Sequence, residues 1–300
     1  MKIGKFSLFL MTKYLRHSDN KVMRDWPSID TYRHRVDVDA SGDGDFFHQF
    51  DIYYANEGTY NGDTIIDIHG GPYIYGDRKN NFGFARVFLE KGYHVVLLDY
   101  PHNRGKRDCL DQVAVLAKQL SYLYEHAAEL GLNKNRFFLY GDSAGGHYAL
   151  LLAELASNPE FQRQIGVNLP EISFLAVGLS CPVYNFRRTA HAPLLSKRGR
   201  DYMYGKRWNE ESFVSALDAS QHLEGLKTPV ILSSCYNDFL KQESIDLDAD
   251  AKSLGLDLEF HFLETKDKKV CHVHNVMHPE LGESEQINEY VHRFFQAKKA

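Results

Sequence analysis

The sequence predicts an α/β protein in which a mostly parallel central sheet of about eight strands is covered by helices on both faces. Strand-like runs alternate with helical stretches along most of the chain, and this alternation is typical of a parallel sheet. Glycine-flanked polar residues directly follow several of the strand-like runs, where the ligand sites of open α/β sheets collect. No internal repeat, low-complexity tract or linker is visible, so we expect residues 1–300 to form a single domain.

The strand predictions depend on short runs of apolar and β-branched residues bounded by turn residues. In chain order they cover 34–39, 49–55, 64–68, 93–100, 136–140, 172–179, 230–234 and 258–263. We expect the first two to form an antiparallel hairpin, and the others to alternate with helices and lie parallel.

Helices are predicted near 80–91, 110–130, 144–157, 242–254 and 284–297. The apolar segment 6–11 is shorter than the apolar core of a signal peptide and has no small-residue cleavage site before Lys13 and Arg16. We interpret it as an amphipathic helix that packs near the mouth of the active site.

The run 137–146 is the strongest functional signal, because apolar strand residues lead directly into a glycine-flanked serine, Ser143, and then into a helix. A sharp strand-to-helix turn exposes its serine, and the neighbouring glycines remove Cβ atoms that would clash there. Ser143 is therefore the predicted nucleophile. The alternative is a plain glycine-rich turn.

A second signal is His69-Gly70-Gly71-Pro72, which follows the predicted strand 64–68. We expect the N–H groups of Gly70, Gly71 and Ala144 to form an oxyanion hole, whereas Pro72 has no N–H to donate. Taken alone, this segment could also be only a tight turn.

These motifs, together with a late aspartate and histidine, resemble the α/β-hydrolases of the hormone-sensitive-lipase-like esterase and lipase group. The resemblance covers most of the chain from about residue 48 onward and is weakest in the first 35 residues and around 183–217. Members commonly carry a third glycine where this chain has Pro72. The resemblance implies the α/β-hydrolase fold, a small cap formed by about 1–30 and 183–217, and the chain order serine, acid, histidine.

Asp238 is the predicted acid, because it follows the strand-like run 229–235 at its carboxyl end, although it could instead cap the next helix. His272 is the predicted base, from the family's habit of placing the histidine two residues before a bulky apolar side chain. Chain position alone leaves His274 and His278 open. In such a triad the imidazole accepts the serine proton and the carboxylate fixes the imidazole tautomer.

The segment 183–217 is expected to be an irregular lid. It carries seven Lys and Arg residues against three Asp and Glu residues, in a chain with a net charge of −5. The excess predicts either a solvated surface or a preference for anionic substrates. Tyr73, Tyr184 and Trp208 are the predicted substrate-binding residues.

The predicted function is hydrolysis of carboxylic esters with short acyl chains, through an acyl-enzyme on Ser143. An amidase or formamidase that acts on a small aromatic amide would carry the same motifs. The sequence also leaves open a metal-dependent hydrolase that uses His272, His274 and His278 with His69, and a binding protein on the same scaffold.

No cofactor or metal is expected, and the expected partner is a small-molecule ester. The acidic chain argues against nucleic-acid binding, and no apolar stretch approaches the roughly 20 residues of a membrane span, so we expect no membrane association. The four scattered cysteines suit a reducing, cytoplasmic environment. A homodimer is compatible with the sequence, but no residue demonstrates one.

Overall fold

The computed structural model describes residues 2–299, and an eight-stranded sheet runs through them in the order β1-β2-β4-β3-β5-β6-β7-β8. Strand β2 pairs antiparallel with β1 and with β4, and every other neighbouring pair is parallel. The strands are β1 (Arg33–Asp39), β2 (Gln49–Tyr54), β3 (Thr64–Ile68), β4 (His94–Leu98), β5 (Phe137–Asp142), β6 (Val177–Ser180), β7 (Val230–Cys235) and β8 (Leu258–Leu263). The predicted α/β class and the predicted β1–β2 hairpin are confirmed.

Helices cover both faces of the sheet. They are α1 (Lys5–Met23), α2 (Phe82–Glu90), α3 (Cys109–Glu125), α4 (Ser143–Ser157), α5 (Pro159–Ile165), α6 (Phe186–Ala190), α7 (Lys197–Tyr204), α8 (Glu211–Leu217), α9 (Lys241–Leu254), α10 (His274–Met277) and α11 (Gly282–Ala297). Within residues 2–299, no helix combines the length and the apolar character that crossing a bilayer requires.

The central strands are rich in apolar residues because both of their faces are buried. Successive side chains of a strand point to opposite faces. Ile66 of β3 therefore joins one core cluster, with residues of α3 and α4, while Ile65 joins another, with residues of α2 and α11. The carboxyl ends of β3, β5 and β7 lie at one edge of this double-sided core, and the candidate functional residues follow them.

The prediction that 183–217 is irregular is wrong, since the segment contains α6, α7 and α8. The side chain of Asn185 caps α6 by accepting from the Arg188 N–H, and Ser196 caps α7 by accepting from the Gly199 N–H. Helices of five to eight residues are too short to produce a clear apolar period in the sequence.

The predicted strand 172–179 is also shorter than expected. Leu175 N–H already donates to Phe137 O, and Ala176 O accepts from Leu139 N–H, but the regular ladder begins only at Val177. The apolar pattern therefore includes residues just before β6 that already hydrogen-bond to β5 but lie outside the regular ladder.

Candidate active site

Ser143 lies at the turn between β5 and α4 with a φ of 52°, a left-handed conformation that non-glycine residues rarely adopt. Glycine is required on both sides of this turn. A Cβ at Gly145 would overlap the carbonyl oxygen of Ile68, and a Cβ at Gly141 would overlap the carbonyl oxygen of Gly145. The sequence-predicted elbow is therefore present, and it holds Ser143 half-buried at the wall of a cavity.

Three side chains from separate parts of the chain meet at this turn. His272 Nε2 lies 2.9 Å from Ser143 Oγ, and His272 Nδ1 lies 2.7 Å from Asp238 Oδ1. The structure thus brings together the three residues that the sequence indicated as nucleophile, base and acid. The ring of Phe239 lies 4.3 Å from the imidazole ring between centroids and covers it on the solvent side, where Phe239 itself is 76% exposed.

Asp238 is held as a carboxylate by its surroundings. Burial raises its pKa, but the hydrogen bond and the charge of His272, with the N–H of Leu240 and the hydroxyl of Ser234, lower it by more, so the pKa lies below the usual value. A carboxylate that stays ionised beside Nδ1 favours the His272 tautomer in which Nε2 can accept a proton.

The other two candidate histidines lie elsewhere. His274 is buried, its Nδ1 lies 2.8 Å from Ser284 Oγ, and burial lowers its pKa to about 4. His278 lies 3.3 Å from Glu280 near the surface. The geometry therefore distinguishes His272 from its two sequence neighbours, which chain position could not do.

This separation also bears on the possibility of a metal-dependent hydrolase. The ring nitrogens of His272, His274 and His278 face different partners, so they do not converge on one point. In the part of the chain that the structure describes, three potential ligand atoms come together only at Cys181, Asp238 and His272. Two of these residues already hydrogen-bond to each other in the arrangement with Ser143.

The predicted oxyanion hole requires one correction. The N–H of Gly70 donates to Asp142 Oδ1 at 2.9 Å, so Gly70 fixes the loop and is not a free donor. The N–H of Gly71 has no acceptor among residues 2–299, and Ala144, as the second residue of α4, has no acceptor within its helix. Gly71 and Ala144 line the same cavity as Ser143.

Asp142 connects the two motifs, and sequence reasoning did not assign it a role. It precedes Ser143 and accepts hydrogen bonds from Gly70 N–H and from Asn81 Nδ2, both at 2.9 Å. It is fully buried, and this burial raises its pKa despite the hydrogen bonds. Asp142 belongs to the elbow motif, but the Gly70 N–H that it binds lies 72 residues earlier in the chain, so the sequence alone did not indicate this contact.

His69 anchors the other side of the glycine loop. Its Nε2 lies 3.2 Å from Asp99 Oδ1 and its Nδ1 lies 2.6 Å from the carbonyl oxygen of Gly70, so both ring nitrogens face acceptors. Burial alone would lower its pKa, but these acceptors raise it above the usual value. Buried Arg78 pairs in turn with Asp99 at 3.4 Å and with Asp51 at 2.9 Å.

A cavity of about 600 Å³ opens beside Ser143. Helix α1 forms one wall, which agrees with the predicted amphipathic helix near the mouth. Helix α7, with the segment before it, forms another wall. The apolar side chains that line the cavity are Ile3, Leu8, Met11, Leu15, Pro72, Ala144, Val183, Ala192, Leu194, Leu195, Met203, Phe239, Leu240, Val273 and Met277. A mainly apolar wall of this kind suits an uncharged organic ligand.

Of the three predicted substrate-binding residues, only Tyr73 lines the cavity. The hydroxyl of buried Tyr184 donates to Asp250 at 2.8 Å, away from the cavity. Trp208 donates from Nε1 to Asp201 at 2.8 Å beneath the guanidinium of Arg200. The assignment of Tyr184 and Trp208 is therefore corrected: both support the helices of 183–217 instead.

The cationic excess of 183–217 does not reach the cavity either. Arg187 pairs with Glu211, and Arg188 pairs with Glu243 at 2.8 Å and with Asp246 at 2.5 Å. No Lys or Arg is among the described residues that line the cavity. Arg187 and Arg188 are thus paired with carboxylates near the surface, and none of the seven cations faces the cavity, as expected of a solvated face.

The BD-FAE family model matches residues 50–240, which is more than half of the chain. The chain belongs to the BD-FAE family. Its matched region begins at β2 and ends just after Asp238, so it contains both glycine motifs and the predicted acid. Together with the sheet order, the match identifies this BD-FAE protein as an α/β hydrolase.

Solved structures agree with this fold. Esterase B from Lactobacillus rhamnosis (HN001) has 25% sequence identity and a TM-score of 0.87, over 98% of this chain and 96% of that chain. A bacterial heroin esterase has 20% identity and a TM-score of 0.74, over 100% of this chain and 94% of that one, which is a likeness of fold alone.

Curated relatives match over shorter stretches. Lipase 2 of Moraxella sp. (strain TA144) is 36% identical over 103 residues, which are 32% of this chain and 22% of that protein. Esterase LipC of Mycobacterium tuberculosis is 26% identical over 125 residues, which are 40% of this chain and 29% of that protein. The BD-FAE protein thus spans well under two thirds of the length of the curated relatives that it matches first.

Proposed function

We propose that this BD-FAE protein is a serine hydrolase that cleaves carboxylic esters through an acyl-enzyme on Ser143. The observation that carries the proposal is the continuous contact from Ser143 Oγ through the His272 imidazole to Asp238, with 2.9 Å and 2.7 Å between the heavy atoms. A serine hydroxyl becomes a good nucleophile when a positioned neutral imidazole accepts its proton.

In the proposed reaction, Ser143 Oγ attacks the ester carbonyl carbon while His272 Nε2 takes the serine proton. The N–H groups of Gly71 and Ala144 stabilise the oxyanion, and one such donor typically contributes about 3 kcal/mol to the barrier reduction. The C–O bond then breaks, and the alcohol leaves with the proton from His272. Water repeats the sequence on the acyl-enzyme, which releases the carboxylic acid and restores Ser143.

Known proteins support the choice of ester over other acyl substrates. Esterase B from Lactobacillus rhamnosis, at 26% identity over 95% of this chain, has been solved with a C4-C4 tributyrin phosphonate inhibitor. The curated relatives include a lipase and an esterase. A mainly apolar cavity beside the serine fits the carbon chains of such esters.

The chain acts as one domain with cap elements from about 1–30 and 183–217, and its substrate is a small-molecule ester with a short acyl chain. The cavity lies between these two cap segments and the sheet edge. Its volume of about 600 Å³ is within the range that encloses a drug-sized ligand, so it accommodates both the acyl and the alcohol portions of such an ester.

The test is hydrolysis of p-nitrophenyl esters from acetyl to long acyl chains, beside the matching p-nitroanilide. We expect the wild type to favour short esters, and Ser143→Ala and His272→Ala to lower kcat by about 10³-fold or more. Asp238→Asn should lower kcat by about 10⁴-fold, because the amide orients the wrong imidazole tautomer.

His278→Ala is the matched control, since this histidine is near the surface and its side chain hydrogen-bonds to Glu280, away from Ser143. It should keep the wild-type kcat. Full turnover in Ser143→Ala would overturn the nucleophile assignment. Turnover of the anilide without turnover of any ester would replace the esterase by an amidase, and ligand binding without either reaction would indicate a binding protein.

A further inference from the structure

Asp19 is an unusual residue in the wall of the cavity. It lies on the inner face of α1, where the other contributions to the wall are apolar. Among the described lining residues, Asp19 and Asp142 are the carboxylates, and Asp142 is already bound by Gly70 and Asn81. Sequence reasoning did not single out Asp19, because an aspartate on an amphipathic helix normally faces solvent.

One oxygen of Asp19 is fixed by the loop that follows the glycine motif. Asp19 Oδ2 accepts from the Tyr75 hydroxyl at 2.6 Å and from Asn80 Nδ2 at 3.2 Å. The other oxygen, Oδ1, accepts no hydrogen bond from any residue in 2–299. No Lys or Arg of that range lies within ion-pairing distance of it, and Arg16 on the same helix lies over the Tyr75 ring at 5.7 Å instead.

Asp19 Oδ1, which accepts no hydrogen bond from residues 2–299, favours a ligand that donates a hydrogen bond to it. The carboxylate is half-buried, and burial raises its pKa in spite of the two hydrogen bonds. A half-buried carboxylate has lost part of its hydration, and a donor group that binds its free oxygen compensates for this loss. Hydrogen bonds to a charged acceptor are about twice as strong as those between neutral groups. The two fixed bonds also hold the carboxylate in one orientation.

Asp19 lines the same cavity as Ser143. Gly71, the candidate oxyanion donor, packs so closely on the following loop that a Cβ there would overlap the carbonyl oxygen of Tyr75. Tyr75 therefore connects Asp19 directly to the loop that faces Ser143. A ligand bound at Ser143 can reach Asp19 within the same cavity of about 600 Å³.

We propose that Asp19, oriented by Tyr75 and Asn80, is a polar subsite that accepts a hydrogen bond from a hydroxyl group of the substrate. The proposal rests on the proposed esterase function and narrows its substrate class to esters that carry a free hydroxyl, either on the alcohol portion, as in partial esters of polyols, or on the acyl portion. Asp19 binds substrate and takes no part in proton transfer.

The experiment uses two isosteric pairs of esters. The first pair is 3-hydroxypropyl butyrate and butyl butyrate, which differ by a hydroxyl in place of a methyl group on the alcohol. The second pair is methyl 6-hydroxyhexanoate and methyl heptanoate, which differ in the same way on the acyl chain. The readout is the ratio of kcat/KM within each pair, for the wild type, Asp19→Asn and Asp19→Leu.

We expect the wild type to favour the hydroxyl ester of at least one pair by about 10-fold, and the pair concerned identifies the portion of the substrate that reaches Asp19. Asp19→Asn should reduce the preference, and Asp19→Leu should abolish or reverse it. Asp25→Asn is the matched control, because Asp25 is exposed next to Arg24 just beyond α1, and it should keep the wild-type ratio.

A wild type without preference in both pairs, or a ratio that Asp19→Leu leaves unchanged, would overturn the proposal. Because the readout is a ratio within one protein, a general loss of folded enzyme in a variant cancels. Failure of the esterase function itself gives a different result, since the wild type would then hydrolyse neither these esters nor p-nitrophenyl butyrate.

Discussion

Unusual backbone conformations at single residues surround the candidate catalytic side chains. Ser143, Cys181 and Val273 all have positive φ, of 52°, 47° and 53°, although none of them is glycine. Val273 follows His272, and its N–H donates to Cys181 Sγ at 3.4 Å. Such conformations cost on the order of 1–3 kcal/mol each and persist only where the surrounding structure imposes them. Here they fix the directions of Ser143 and His272.

Gly71 gives the residue-scale prediction. Its φ of 124° and the adjacent carbonyl of Tyr75 exclude a side chain, so Gly71→Ala must displace the loop that carries the candidate oxyanion N–H. We expect kcat for p-nitrophenyl butyrate to fall by about 10²–10³-fold, as when one oxyanion donor is lost.

Gly58→Ala is the control, because a Cβ at Gly58 meets no atom within 4 Å and its φ is not positive. This variant should retain the wild-type kcat. An unchanged kcat in Gly71→Ala, at an unchanged melting temperature, would show that the Gly71 N–H does not stabilise the transition state.

Some residues of the site could be predicted from the sequence around them, whereas others depend on contacts with distant parts of the chain. Ser143 and Asp238 each follow a strand within a recognisable run, so their place could be predicted. Chain position did not separate His272 from His274; the structure does, because His272 contacts Ser143 and Asp238 whereas His274 is buried against Ser284 of the following helix. The role of Gly70 was mistaken because the side chain that engages its N–H, Asp142, belongs to another strand.

At the scale of elements, α1 and the segment 194–204 form two adjoining walls of the cavity. Ile3 N–H donates to Leu194 O at 2.9 Å, and Ser196 N–H donates to Ile3 O at 2.9 Å, so the start of the chain is fixed to the beginning of α7. Leu8 is 1% exposed and anchors α1 in the core, whereas Leu10 on the opposite face is 48% exposed.

Leu8→Ala tests whether α1 is a structural wall. The lost burial should destabilise the protein by about 2–5 kcal/mol, and loosening of α1 should raise KM for p-nitrophenyl butyrate more than it lowers kcat. Leu10→Ala removes the same atoms from an exposed site, and its stability should stay within about 0.5 kcal/mol of the wild type. Chemical denaturation and initial-rate kinetics measure both effects. Equal effects of the two substitutions would contradict the assigned orientation of α1.

The elements differ in how well the sequence predicted them. The strands β3 and β8 have the predicted bounds, because their β-branched and aromatic runs end at clear turn residues. Helices α6 to α8 were missed because each is short, with five to eight residues. The extent of α1 was underestimated, since the polar residues after Leu15 obscure its period although the helix continues to Met23.

For the whole molecule, buried titratable groups connect stability to pH. Burial lowers the pKa of His94, His102, His147 and His274 to about 4, from 6.5 in the unfolded chain. His147 illustrates the cause, since it is 0% exposed between the Tyr73 hydroxyl and the carbonyl oxygen of Leu217. His69 has the opposite behaviour, because Asp99 and Gly70 raise its pKa.

The sign of the pH effect follows from these directions. Between pH 6.5 and 4 the four histidines bind protons in the unfolded chain and remain neutral in the folded one, so acid favours unfolding. Each contributes up to roughly 3 kcal/mol of stability that is complete above pH 6.5 and lost as the pH falls to 4. The contribution of His69 is instead complete below pH 6.5 and lost as the pH rises through its folded pKa, so His69 does not change the slope of stability between pH 6.5 and 4.

Burial raises the pKa of Asp67, Asp142 and Glu154, and these carboxyls act in the opposite direction, because they bind protons more readily in the folded chain. The test is therefore the contribution of a single histidine to the slope of the free energy of unfolding against pH between pH 7 and pH 4.5, measured by urea denaturation at constant ionic strength. His147→Gln will also change the absolute stability, so the comparison uses the slope of the free energy of unfolding against pH. This slope should be smaller than in the wild type by the contribution of one histidine. His17→Gln is the control, because His17 is exposed on α1, and it should keep the wild-type slope. A slope that His147→Gln leaves unchanged would mean that His147 binds its proton equally well in both states, contrary to its complete burial.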